Sequence, residues 1–272
     1  MDRTSWIGFI FAFVVLIGGL ILKGSSPTVL LNGAALVIIF AGTAASIMIA
    51  FPMSEIKRLP QLFRVIFKES KELTVRDLIP LFSEWTVLAR REGLLALEEP
   101  SERLDDEFLK RGLRMVVDGE SQEMIRNLLE EDIAAMEERH TVGAKIFSQA
   151  GTYAPTLGVL GAVIGLVAAL SHLEDVALLG KSISAAFIAT LFGIFSGYVL
   201  WHPFANKLKQ KSAAEAQIKQ IMIEGILAVQ EGLPARVVEE KLKTYLPSKE
   251  RNLEAVGKKG KAKGKAGESV EA

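Results

Sequence analysis

Four stretches of this chain carry no charged side chain: residues 4–22, 24–54, 146–173 and 182–206. A charged residue at the centre of a membrane helix costs about 2.5–3.5 kcal/mol on insertion scales, and about 20 apolar residues cross the hydrocarbon core. Those two facts constrain the fold to an all-α membrane protein with four transmembrane helices. Most of the 32 basic and 32 acidic residues gather instead in 55–145 and after 206. Their formal net charge of zero gives neither the basic excess of a nucleic-acid binder nor the composition of a disordered chain.

Cysteine is absent, which removes disulfides, a thiolate nucleophile and a zinc cluster. His140, His172 and His202 stand far apart in sequence, so neither a metal nor another cofactor is expected. A signal peptide is the weaker reading of the N-terminus, because Arg3 is a thin positive region and no small-residue cleavage site follows Leu22. The first stretch reads as a retained span.

Span one covers about 5–22, and Gly24-Ser25-Ser26-Pro27 turns the chain back into span two, about 33–51, as a helical hairpin. Lys57, Arg58, Arg64, Lys68 and Lys71 follow span two, and Lys207, Lys209 and Lys211 follow span four. The two short links on the other side hold only Lys23 and Lys181. The positive-inside rule then puts both termini and residues 55–145 in the cytoplasm. The expected organisation is a hairpin of spans over 1–54, a helical cytoplasmic domain over 55–145, spans three and four over 146–206, a helical extension over 207–246 and a disordered tail over 247–272.

Apolar residues recur at three- and four-residue spacing in the cytoplasmic domain, predicting helices over 78–97 and 106–117. A third pattern opens at Ser121 and continues past Gly143 into span three as one long helix. Span four continues similarly until Gly232-Leu233-Pro234, and a short helix is expected over 235–246.

Span three places Gly158, Gly161 and Gly165 on one helix face with Ala154 and Ala162 beside it, and span four answers with Ser182, Ala186, Thr190, Gly193 and Gly197. Small residues let helices approach closely in lipid, so tight packing is the plain reading. The functional reading is a moving or conducting interface, with Thr190 and Tyr198 as polar contacts. Pro155 frees the carbonyl of Gly151 and Pro203 that of Val199, which predicts a kink or an exposed oxygen near the cytoplasmic end of each span. Ion pathways normally use buried ionisable groups, and these spans have no charged residue. The chain alone is therefore not a complete proton carrier: it conducts nothing, or a partner supplies the titrating group.

The run LARREGLLALE over 88–98, GTYAPTLG over 151–158, ATLFGI over 189–194 and GYVLWHP over 197–203 resemble the flagellar motor stator A subunits of the MotA/TolQ/ExbB superfamily. The likeness extends over nearly the whole chain except its tail. It implies a homo-oligomer of five A subunits around two MotB-like B subunits, whose spans carry the proton-accepting aspartate. Ion flow then turns the A ring, and the cytoplasmic domain drives the FliG-like switch protein of the rotor C-ring. By position, Arg90 and Glu98 resemble the rotor-engaging charges and Pro155 and Pro203 the coupling prolines. Thr190 resembles the channel-facing threonine, within a proposed lining of Gly158, Gly161, Ala162, Gly165, Ala186, Thr190, Gly193 and Tyr198. The neighbouring Arg91 and Glu99 leave the register of the rotor contacts open. Sodium-driven relatives carry a threonine where this chain has Ala162, and alanine offers no oxygen ligand, which favours protons.

The resemblance implies the bacterial cytoplasmic membrane as location. The alternatives are a sodium-driven stator subunit, an ExbB/TolQ-like energiser, an intramembrane enzyme or a structural scaffold. Such energisers usually have three spans and no rotor-docking segment. No Ser/His dyad, GxGD-like carboxylate or HExxH motif lies within the spans to support an enzyme.

Overall fold

The computed structural model describes residues 3–68, 73–248 and 251. Nearly all of the tail expected to be disordered lies outside the described residues. Among those residues every regular element is helical. In chain order they are α1 (Arg3–Leu22), α2 (Gly33–Ala50), α3 (Leu59–Phe67), α4 (Val75–Glu92), α5 (Glu98–Glu102), α6 (Glu107–Val117), α7 (Gln122–Leu170), α8 (Val176–Gln230) and α9 (Ala235–Lys243). Single turns at Pro27–Leu30, Met53–Ile56 and Leu94–Leu97 fill some of the links. Four of these helices, α1, α2, α7 and α8, are long and apolar enough to cross a membrane.

The helix starts follow from side-chain oxygens that satisfy otherwise unpaired N–H groups. Asn32 accepts from the Ala35 N–H at 3.0 Å, Asp106 from Leu109 at 2.9 Å and Asp175 from Leu178 at 3.0 Å. Thr74 and Asp77 form a capping box at the start of α4. The Thr74 hydroxyl and N–H both donate to the Asp77 carboxylate and hold it below its ordinary pKa. Both expected continuous helices are present: α7 runs unbroken through Gly143, and α8 stops where Gly232 takes a positive φ of 69°.

One expected helix ends early. The apolar spacing predicts helix through residue 97, but α4 stops at Glu92 because Gly93 adopts φ 90°. That backbone region strains residues with a Cβ. The chain then makes a 3-10 turn and restarts as α5. Two membrane helices also contain widened turns, at Val37–Ala41 and Phe195–Trp201.

The chain divides into two compact units, residues 1–70 with 137–212 and residues 71–136 with 213–272. In the first, α1 buries none of its residues within the chain. An aromatic cluster of Phe9, Phe63, Phe67, Phe147 and Phe204 lies at the membrane's cytoplasmic side by the charge rule. Lys211 Nζ closes the end of α3 by donating to the carbonyls of Val65 and Lys68 at 2.5 and 2.6 Å.

The second unit has one core, in which Leu78, Phe82, Leu109, Leu113, Ile125, Leu129, Ile221 and Val229 are all fully buried. Each such side chain contributes roughly 1.5–3 kcal/mol over exposure. Gly225, the weak helix former in α8, faces Phe82 so closely that a Cβ there would lie 2.5 Å from the ring. Beside this core, Glu224 of α8 pairs with Arg126 of α7 at 2.8 Å and Lys241 of α9 at 2.6 Å. Burial alone raises the pKa of Glu224, but the hydrogen bonds and charges of Lys241 and Arg126 outweigh it and hold the carboxyl below its ordinary value.

Candidate functional site

The two small-residue stripes meet each other within one chain. A Cβ added to Gly193 would lie 2.7 Å from the Ala154 oxygen and 2.8 Å from the Gly158 Cα. At Gly158 it would meet the Ala189 oxygen at 3.1 Å, at Gly161 the Ala189 Cβ at 2.8 Å and at Gly165 the Ala186 Cβ at 2.9 Å. Backbone approach this close needs glycine. Gly158, Gly161, Gly165, Ala186 and Gly193 therefore form the packed seam between α7 and α8 rather than an open wall. Ala162 and Thr190 are half-buried, and Tyr198 is 64% exposed. The Thr190 hydroxyl donates to the Ala186 carbonyl at 3.3 Å, leaving its lone pairs as the remaining polar feature.

Both prolines lie near the cytoplasmic end of this seam. Pro155 does not break α7, which stays helical on both sides. Its freed carbonyl, that of Gly151, is covered by Gly197: a Cβ at 197 would lie 2.8 Å from the Gly151 oxygen and 2.7 Å from the Pro155 ring. A Cα–H directed at an otherwise unpaired carbonyl gives weak compensation. The His202 ring in turn lies over Gly151, 2.8 Å from where a Cβ would stand. Pro203 expresses its missing N–H differently, through the widened turn at Phe195–Trp201 before it. The His202 N–H there reaches back five residues to the Gly197 carbonyl. Where the sequence predicts a kink or an exposed oxygen, the first proline thus has a covered carbonyl and the second follows a wide turn.

The sequence identifies Gly151 as the residue whose carbonyl Pro155 frees, but treats Gly197 only as a small residue of the span-four stripe. The local signal for their role was a glycine four positions before Pro155, which removes the side chain next to the freed carbonyl.

In the other unit, Arg90 lies in the last turn of α4 and Glu98 begins α5, separated by the Gly93 turn rather than carried on one helix. Both are exposed, and neither has an ion-pair or side-chain hydrogen-bond partner among the described residues. Their neighbours are engaged: Arg91 pairs with Glu92, and Glu99 with Arg103. No group of acidic or histidine side chains able to hold a metal occurs among the described residues.

The Motility protein A N-terminal model matches residues 6–93, and the MotA/TolQ/ExbB proton channel family model matches 100–221. Motility protein A of Bacillus subtilis is 62% identical over 251 residues, covering 92% of this chain and 93% of that protein. A chain of the flagellar MotAB stator complex from Bacillus subtilis superposes with a TM-score of 0.90 at 61% identity, covering 93% of this chain and 100% of that one. A chain of C. jejuni MotAB gives 0.86 at 32% identity, covering 91% and 97%. On this whole-length likeness in sequence and fold, the chain belongs to the motility protein A family, within the MotA/TolQ/ExbB proton channel superfamily.

Proposed function

We propose that this chain is an A-type stator subunit of a bacterial flagellar motor, in which a ring of A subunits and a B-subunit core form a proton channel that drives the rotor. The observation that carries this reading is the likeness of nearly the whole chain, membrane spans and cytoplasmic helices together, to a chain of a flagellar MotAB stator complex. The four charge-free spans fit it: a carboxylate from the B subunit supplies the titrating group this chain lacks.

In this reading protonation of that carboxylate changes how it is held against α7 and α8, and the seam makes those two helices move as one body. Ala162, Thr190 and Tyr198 stand beside the path, while Gly158, Gly161, Gly165, Ala186 and Gly193 set its backing. Pro155 and Pro203 couple the path to the helical extensions beyond the membrane. Arg90 and Glu98 engage the rotor switch protein, and their freedom from partners supports them over Arg91 and Glu99. One charge falling through 100 mV yields about 2.3 kcal/mol, which bounds the work each step can do against the rotor. Ala162 offers no oxygen to sodium, which supports protons as the driving ion. No catalytic role belongs to this reading.

The test is swimming in a strain that lacks its own A subunit and is supplied with this chain and its B subunit. Restored swimming that stops with a protonophore at constant external sodium is expected. Failure to restore motility with both proteins in the membrane overturns the stator reading, and speed that survives collapse of the proton gradient overturns proton coupling.

A further inference from the structure

His202 brings an ionisable side chain to the cytoplasmic end of the seam, with neither ring nitrogen engaged. Thr190, Ile194, Tyr198 and His202 follow one another at intervals of four along α8. In a regular α-helix each such step advances about 40° round the axis, so the last of them would drift off the face. The widened turn at Phe195–Trp201 holds more residues per turn and takes up that drift. His202 accordingly stands against Tyr198, with ring centroids 5.4 Å apart. Above it on this face Ile194 and Tyr198 are 51% and 64% exposed. On α7 the ring meets Gly151, where a Cβ would lie 2.8 Å from three ring atoms, Nε2 included, so glycine makes room for it. The imidazole is half-buried and has no hydrogen-bond or ion-pair partner among the described residues. Tyr198 is the titratable group in ring contact with it, and α7 presents none at Gly151.

We propose that His202 is the proton acceptor at the cytoplasmic exit of the path. The carboxylic acid of the B subunit gives up its proton through water to a free ring nitrogen of His202, which restores the carboxylate and makes an imidazolium. The imidazolium then releases a proton to cytoplasmic water and returns to the neutral ring. Imidazole is the side chain suited to such an exchange near neutral pH. The hydroxyls of Thr190 and Tyr198 on the same face can orient water, but they do not hold a second proton there. Pro203, next in sequence, places this exchange where α8 leaves the membrane. The inference rests on the stator reading and names the residue that finishes the transfer within it.

The full chain and its B subunit are expressed in a strain lacking both stator subunits, and the rotation of single motors is read with a small bead at low load and with a tethered cell body near stall. Near stall the work per proton sets the torque, whereas at low load the rate of proton transfer sets the speed. His202→Gln is expected to lower the low-load speed about tenfold and leave the stall torque unchanged. That is short of the loss of a positioned acid–base group, because water remains as a slower carrier. His202→Gly opens the space over Gly151, and imidazole added to the medium is expected to raise its low-load speed without raising that of the wild type. A wild-type low-load speed in His202→Gln, a proportional fall of speed and stall torque together, or no response of His202→Gly to imidazole overturns the proposal. The imidazole response carries the decision if His202→Gln does not assemble. Wild-type chains that turn no motor remove the stator reading itself, whereas a normal His202→Gln motor removes this inference alone.

Discussion

Gly193→Ala adds one methyl group where the α7–α8 seam is narrowest. The new carbon would stand 2.7 Å from the Ala154 oxygen and 2.8 Å from the Gly158 Cα, where ordinary contact begins at 3.4 Å. Both neighbours are backbone, so no side chain can swing aside. The helices must part by about 0.7 Å, the difference between those distances, and a gap of that size forfeits a quarter to a half of the dispersion energy along the contact. Overpacking of this kind costs about 1–3 kcal/mol, and alanine returns up to about 1 kcal/mol in helix propensity, leaving a net loss of up to about 2 kcal/mol. Gly180→Ala, in the same helix, is the control, because its added carbon meets nothing within 4 Å. It is expected to gain about 0.5–1 kcal/mol. The assay is thermal dissociation of the A–B complex in lipid nanodiscs at a fixed heating rate, since unfolding of such assemblies is irreversible. At about 2–4 °C per kcal/mol, the two variants separate by roughly 1–12 °C. A Gly193→Ala complex as heat-resistant as the Gly180→Ala complex refutes the assignment of these glycines to packing.

Ala162→Leu, beside the seam, is expected to leave insertion and assembly intact while stopping swimming. Gly158→Leu is expected to reduce assembled protein instead, because its Cβ already meets the Ala189 oxygen at 3.1 Å; immunoblots of membrane fractions separate the two effects. Charge reversal at Arg90 or Glu98 should slow swimming more than reversal at Arg91 or Glu99 at equal membrane levels, and the opposite ranking removes Arg90 and Glu98 from the rotor contact. Glu224→Gln should loosen α9 at neutral pH by about 1.5 kcal/mol, the low end for hydrogen bonds to charged groups, seen as faster proteolysis at α9. Because the folded-state pKa of Glu224 is depressed, its stabilisation is present above the unfolded value near 4.5 and is lost as pH falls through the folded one. The wild-type rate should therefore approach that of the variant in acid, and parallel pH curves would sink this account.

Spans and long helices were legible because each rests on a local rule. Charge is excluded from lipid, and apolar residues at three- and four-residue spacing continued from Ser121 into span three. What a stripe of small residues touches was only half legible: packing of the span-three stripe on the span-four stripe was the plain reading, beside a moving or conducting interface. Spacing announces a close approach at Gly158, Gly161 and Gly165, but the partner is chosen by the tertiary fold, which here is span four of the same chain. The break at Gly93 was hidden for a related reason: Leu94, Leu95 and Leu97 continue the apolar rhythm, and the sign of φ leaves no trace in periodicity. The covered carbonyl of Gly151 lay between these cases, since Pro155 announced it and only Gly197, 42 positions further along, closes it.

Gly93 itself touches nothing: a Cβ there would stand in open space. Its φ of 90° nonetheless fixes the direction in which the chain leaves Arg90 and arrives at Glu98. In a saturation screen for motility, this position should score like a rotor contact although it carries no charge. Restoring complementary charges on the rotor cannot rescue such variants, because the two charges would still be present and only the angle between them would be wrong. Suppressors of Gly93 substitutions should therefore arise within the turn at 93–97 rather than on the rotor partner, which separates geometric from electrostatic failure by genetics alone.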